Sequence, residues 1–156
     1  MTVKSQFLKK LRARQPAPVS FTSKNQADIA EFRLRMTQLQ EQIGVWLVDT
    51  GLKVETLSTS VTDLLVEGGV FDISAIVLRH DDRIVKFMPL FLYGQGVTGC
   101  VEVTLHAAGG ITFLGRLCMR SGNSGGWSFM SPDALSLPVQ HFDESTFFNL
   151  ILALLP

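Results

Sequence analysis

Apolar residues recur at three- and four-residue steps after Ser23, at Ile29, Phe32, Met36, Leu39, Ile43 and Trp46 or Leu47, with Asp28, Glu31, Arg33, Arg35, Gln38 and Glu41 between them. That is the period of one helix face, and it predicts an amphipathic helix from about Lys24 to Asp49. Ser23 and Gln26 have the spacing of a capping box at its start, and Gly51 is suited to the left-handed residue that ends a helix. Beyond Gly51 the period drops to two. Leu52 to Val61 is rich in β-branched residues and predicts a first strand, and Phe71 to Met130 divides into short β-type runs separated by turn residues.

Two hairpins can be registered from the pattern alone. Asp81 and Asp82 form a tight turn between Phe71–Arg79 and Ile84–Tyr93. This turn sets Val77 against Lys86, Ala75 against Met88 and Ile73 against Leu90, with Ile76–Phe87 and Leu78–Val85 on the other face. Both faces are then largely apolar, so each needs a cover. In the next hairpin the odd positions Val97, Val101, Val103, Leu105, Ile111, Phe113, Leu117 and Met119 are apolar. A three-residue loop, Ala108 to Gly110, keeps them on one face and pairs Val101 with Leu117, Leu105 with Phe113, Glu102 with Arg116 and Cys100 with Cys118. Trp127 to Met130 starts a last strand, and Asp143 is the N-cap of a helix that is apolar almost all round from Phe147 to Leu155.

Helices at both ends of a run of strands give an α+β fold. We expect an antiparallel β-meander of five or six strands, with a long N-terminal helix and a short C-terminal helix packed on it. Residues 1–20 read as a basic N-terminal arm, in which Val3, Phe7 and Leu11 share one side of a short helix that Pro16 and Pro18 stop. Residues 21–156 read as one domain, the usual outcome for a chain of this length.

Charge sharpens the picture of the arm. The chain carries 14 basic and 14 acidic residues, yet Lys4, Lys9, Lys10, Arg12, Arg14 and Lys24 all precede the first acid, Asp28. Contact of residues 1–15 with an anionic membrane surface, or with nucleic acid, is the functional sense such an arm would have; a terminus docked on the domain is the commoner one. At 46% hydrophobic and 18% charged residues, the chain is more apolar than the average soluble domain, which has about 25% charged. Either the core is unusually complete or apolar surface is kept for a partner. No apolar run approaches the ~20 residues of a membrane-spanning helix, and the expected location is cytoplasmic, with both cysteines reduced.

Motifs that could carry chemistry are sparse. Gly94, Gly96 and Gly99 have the spacing of a dinucleotide-binding loop, but a strand follows where that loop opens a helix. Gly122 to Gly126, G-N-S-G-G, resembles the loop around the nucleophilic serine of chymotrypsin-like proteases over five residues. Asn123 replaces that family's aspartate, and neither His80 nor His106 sits in a matching segment. His80, Asp81 and Asp82 read as a charged hairpin tip rather than a metal site. The polar face of the second hairpin collects Cys100, Glu102, Thr104, His106, Thr112, Arg116, Cys118 and Arg120. Cys100 and His106 are nevertheless about 20 Å apart along one strand, too far to act together.

No catalytic residue, cofactor or metal is therefore assigned. The expected function is non-enzymatic binding of another protein, or of a second copy, by a small bacterial adaptor, secretion chaperone or toxin-neutralising protein. The candidate contacts are Ile76, Leu78, Phe87, Phe91 and Tyr93 on the sheet, with Phe148, Leu152 and Leu155 on the C-terminal helix. The alternatives are an enzyme using the Cys/His/Glu/Arg face of the second hairpin, and lipid or nucleic-acid binding through the basic arm.

Overall fold

The computed structural model describes residues 3–7, 16–63, 65, 66, 69–94, 97–120, 126–132 and 140–155. Residues 3–7 are helical; the rest of the expected arm helix, and most of the Gly122–Gly126 turn, lie outside the described residues. Helix α1 runs from Pro16 to Trp46, about 46 Å long. It starts eight residues before the expected Lys24. Proline needs no hydrogen-bonding N–H in the first turn of a helix, so Pro16 and Pro18 open this helix where the sequence had suggested they close another. Its buried stripe is the expected one, Phe32, Met36, Leu39, Ile43 and Leu47. Asp49 and Gly51 take left-handed backbone just after its end, with φ of 70° and 80°.

A seven-stranded antiparallel sheet follows in strict sequence order. Its strands are β1 (Val54–Thr62), β2 (Val70–His80), β3 (Arg83–Gly94), β4 (Val97–Ala107), β5 (Gly110–Cys118), β6 (Ser128–Met130) and β7 (Gln140–His141). The α+β meander is thus as expected, extended by a two-residue strand too short to leave a pattern in the sequence. Helix α2 (Glu144–Ile151) continues into a 3-10 turn, Leu152–Leu154. Asp143 caps it, accepting from the Thr146 N–H at 2.9 Å. No described helix is long and apolar enough to cross a membrane.

Ile76–Phe87, Val77–Lys86 and Leu78–Val85 pair as the tight turn dictates, but the β2–β3 ladder stops at Ile76–Phe87. The expected pairs Ala75–Met88 and Ile73–Leu90 do not form, because Pro89 intervenes. Counting from the closing pair His80–Arg83, alternate residues of β3 donate to β2, and residue 89 is the next donor in line. Proline has no N–H to give. The first half of β2 therefore pairs with β1 alone, and this two-stranded ribbon reaches α1: the rings of Phe71 and Phe32 lie 6.4 Å apart, and Arg33 Nε donates to Asp72 O at 2.7 Å. At the end of β1, Asp63 Oδ2 accepts from the backbone N–H groups of Leu92 and Tyr93, at 3.2 and 3.0 Å. A side chain serves the amides that the departing strand has left.

A second irregularity lies in β5. Val103 faces Gly115 while Thr104 faces Phe113, so Leu114 has no cross-strand partner and the turn shrinks to Ala108 and Gly109. This one-residue bulge reverses the side on which the residues before it point. Leu105 faces Thr112 rather than Phe113, and Ile111 and Phe113, expected inside, are 69% and 40% exposed. Gly115 makes the bulge possible. Its φ is 149°, and a Cβ there would lie 2.5 Å from Phe129 Cε2 and 2.7 Å from Met130 O.

Both helices cover one face of the sheet, where Ile76, Leu78, Val85, Phe87, Val101, Val103 and Leu117 form one cluster with the α1 stripe. Phe147 of α2 joins the layers, its ring 5.1 Å from Trp46, 6.5 Å from Phe87 and 6.2 Å from Phe142. On the open face, the small buried residues Ala75 and Val77 are sheltered by strand neighbours, Leu57 beside Ala75, and Glu55 and Lys86 beside Val77.

Two substitutions, each set against a control, test this account by urea denaturation. Phe147→Ala should cost about 3–5 kcal/mol, against no more than about 0.5 kcal/mol for the exposed Leu34→Ala. Gly115→Ala should also be destabilising, since a backbone oxygen cannot move aside, whereas Gly109→Ala, with open space around it, should not.

Candidate partner-binding surface

The structure separates the sheet candidates from the helix candidates. Ile76, Leu78 and Phe87 are buried in the core beneath the chain's own helices, so they offer no contact to a partner. Phe91 and Tyr93 are half-buried on the far half of β3. Phe148, Leu152 and Leu155 come together: with Thr50, Leu52, His80, Ile151 and Leu154 they line one pocket of about 250 Å³. Leu152 and Leu155 are 60% and 54% exposed at its edge.

Three segments build this pocket. The turn after α1 contributes Thr50, whose hydroxyl donates to Leu47 O at 2.6 Å and accepts from Leu52 N at 3.2 Å. The β2–β3 hairpin contributes His80, and its Arg83 reaches across to donate to Ala153 O at 2.9 Å. That bond satisfies a carbonyl that the 3-10 turn leaves without a helical partner, and fixes the apolar end of the chain against the hairpin. Burial of Ile151 and Leu154 fixes the turn from below, leaving Leu152 and Leu155 to point outward.

Tyr93 belongs to a different arrangement, which ties the sheet to α1. Its hydroxyl lies 2.5 Å from Asp28 Oδ2 and 2.9 Å from the side-chain amide of Asn25, both buried on α1. One O–H serves one acceptor, and the shorter, charge-assisted bond to Asp28 claims it. The Asn25 amide group oriented with Oδ1 toward Tyr93 would leave Nδ2 buried without a partner. Turned over, Nδ2 donates to the tyrosine oxygen, and Oδ1 takes the buried position instead. Burial, then the hydrogen bond to Asp28 and the charges of Asp28 and Asp63, push the Tyr93 phenol well above its ordinary range.

The open face of the sheet carries the polar groups expected on the second hairpin except Thr112, which the bulge pairs with Leu105 on the other face while turning Ile111 and Phe113 onto this one. Arg116 lies over the Phe113 ring, 5.8 Å from its centre. His106 Nε2 is 3.1 Å from the Thr104 hydroxyl, and Cys100 and Cys118 face each other at 3.7 Å between sulfurs. No cysteine and histidine are brought together there, and no cluster of three metal-ligating groups occurs among the described residues.

A larger cleft, about 680 Å³, runs between α1 and the strand–loop segments before α2, lined among others by Arg35, Trp46, Trp127, His141 and Glu144. Sequence reasoning missed it because its walls come from segments as far apart as Glu31 and Glu144, with no local spacing to mark them. Comparison with protein-family models, curated proteins and solved structures finds no match to this chain.

Tyr93→Phe should cost about 1–3 kcal/mol at neutral pH, by leaving the partners of the hydroxyl without it. Because folding raises the phenol's pKa, its contribution is complete below the ordinary tyrosine value of about 10 and is lost as pH climbs past it. Denaturation curves at pH 7 and above pH 10 should show the gap between wild type and variant narrowing.

Proposed function

We propose that this is a non-enzymatic binding protein whose partner is a different protein, and that it docks an apolar anchor side chain of that partner in the pocket at the end of α2. The observation that supports this most directly is the position of two largely exposed leucines, Leu152 and Leu155, at the edge of an apolar pocket whose 3-10 turn is tied to the β2–β3 hairpin by the Arg83–Ala153 bond. At about 250 Å³ the pocket is below the ~300–1,000 Å³ of small-molecule sites. It has the size for one or two aliphatic or aromatic side chains, and a buried anchor surrounded by flat apolar surface is how protein interfaces concentrate their energy. Thr50 and His80 are the polar groups of its lining, too few to orient a polar ligand.

The test compares three forms of the full chain as bait in extract from the native host. A protein retained by wild type and by Val45→Glu, an equally exposed α1 site, should be lost with Leu152→Glu, at unchanged thermal stability. Equal retention by all three forms, or by none, would overturn the assignment. A homodimer by light scattering that the Leu152→Glu variant abolishes would instead make the occupant a second copy.

A further inference from the structure

We propose that Cys100 and Cys118 form a dithiol site that a small peroxide oxidises to an intramolecular disulfide, stapling β4 to β5 on the open face of the sheet. The site is independent of the pocket at α2. Its geometry comes from register. Cys100 and Cys118 are direct cross-strand partners, and the neighbouring Met119 N–H donates to Gly99 O at 3.0 Å. The cysteine pair therefore falls at a non-hydrogen-bonded position, where opposed side chains approach most closely. The sulfurs are already 3.7 Å apart. Rotation about two Cα–Cβ bonds is enough to bring them to the ~2.05 Å of a disulfide without separating the strands.

Surroundings distinguish the two thiols. Cys118 is 7% exposed and Cys100 1%, so a reagent meets Cys118 first and must be small. Along the same face, the adjacent cross-strand pair is Arg116 and Glu102, and the flanking residues are Phe91 beside Cys100 and Ser128 beside Cys118. A hydrogen bond from Cys100, supported by the Arg116 charge against the effect of burial, holds the Cys118 thiol down at about 7, below a free cysteine. The same hydrogen bond, then burial, push Cys100 up, and Glu102 adds to that. With both thiols neutral Cys118 donates to Cys100; once Cys118 ionises the direction reverses. The more accessible sulfur is thus also the nucleophile.

The chemistry balances with hydrogen peroxide as the oxidant. Cys118 Sγ attacks one peroxide oxygen, the O–O bond breaks, and the departing hydroxide takes up a proton to leave water and a sulfenic acid on Cys118. Cys100 Sγ then attacks Cys118 Sγ, the S–O bond breaks, and the hydroxide released takes the Cys100 proton as a second water. Two thiols lose two electrons and peroxide is reduced to two waters.

Native full-length protein is exposed to a small excess of hydrogen peroxide, denatured, and its cysteine peptides are mapped by mass. The expected product is a single Cys100–Cys118 linkage, lighter by two hydrogens, in a monomer that dithiothreitol returns to two free thiols. Cys100→Ser should stop at a sulfenic acid on Cys118 that dimedone traps, while Cys118→Ser should keep its Cys100 thiol through the same exposure. The proposal is overturned if the folded protein keeps both thiols under conditions that oxidise the urea-unfolded chain. It is equally overturned if wild type gives sulfinic acid or intermolecular disulfides. Trapping on Cys100 and not on Cys118 would overturn the assigned order of attack.

Discussion

A backbone N–H that the chain does not have, that of Pro89, decides how the rest of the molecule closes. β3 is a central strand, and a proline there ends the ladder to β2 at Ile76–Phe87. Everything beyond that pair has to find other partners. The first half of β2 keeps β1 and bends toward α1, bringing Phe71 onto Phe32, while Asp63 takes the amides of Leu92 and Tyr93. Tyr93, placed by those bonds, reaches Asp28 and Asn25 on α1. A break in one ladder is thus converted into three connections, one an aromatic contact and two polar. The polar two are directional, so they fix where the ribbon lies in a way that apolar packing alone does not.

The high apolar content finds its explanation in the same arrangement. Four consecutive buried residues, Ala75 to Leu78, lie where β2 is sandwiched, two beneath helices and two sheltered by strand neighbours. A sheet with one wet side would spend only alternate positions on burial. Much of the surplus hydrophobicity is therefore internal; of the large apolar residues that remain exposed, Leu152 and Leu155 flank the pocket, Ile111 and Phe113 are turned out by the β5 bulge, and others, Leu34, Val45 and Val48 among them, lie along or just after α1.

What the sequence shows and hides follows from how local each signal is. The α1 stripe, the turn at Asp81 and Asp82, the pairing of Cys100 with Cys118 and the cap at Asp143 are all set by residues within one element or one hairpin, and all were legible. The start of α1 was misplaced because a proline that opens a helix and one that closes it look alike without the backbone. The Pro89 break was readable in principle, since proline in a central strand is itself a warning. The bulge at Leu114 was not: parity continues through it in the sequence, and only the approach of the β6 backbone to Gly115 distinguishes it. Of the candidate contacts, Ile76, Leu78 and Phe87 share an apolar face that needed a cover, and the cover is the chain's own. Phe148, Leu152 and Leu155 could be named from the helix, whereas Thr50, Leu52 and His80 opposite them could not.

In the meander each strand pairs with the strand just before it, so the sheet can assemble hairpin by hairpin from local contacts, with little loop entropy to overcome. Of the two helices that cover its apolar face, the second comes after all seven strands. During synthesis the strands therefore emerge and pair while Phe87 and Trp46 still lack the ring of Phe147 between them. For as long as the ribosome takes to deliver α2, the nascent chain carries an ordered sheet whose hydrophobic side is only partly sealed, and in that interval it has most need of a chaperone.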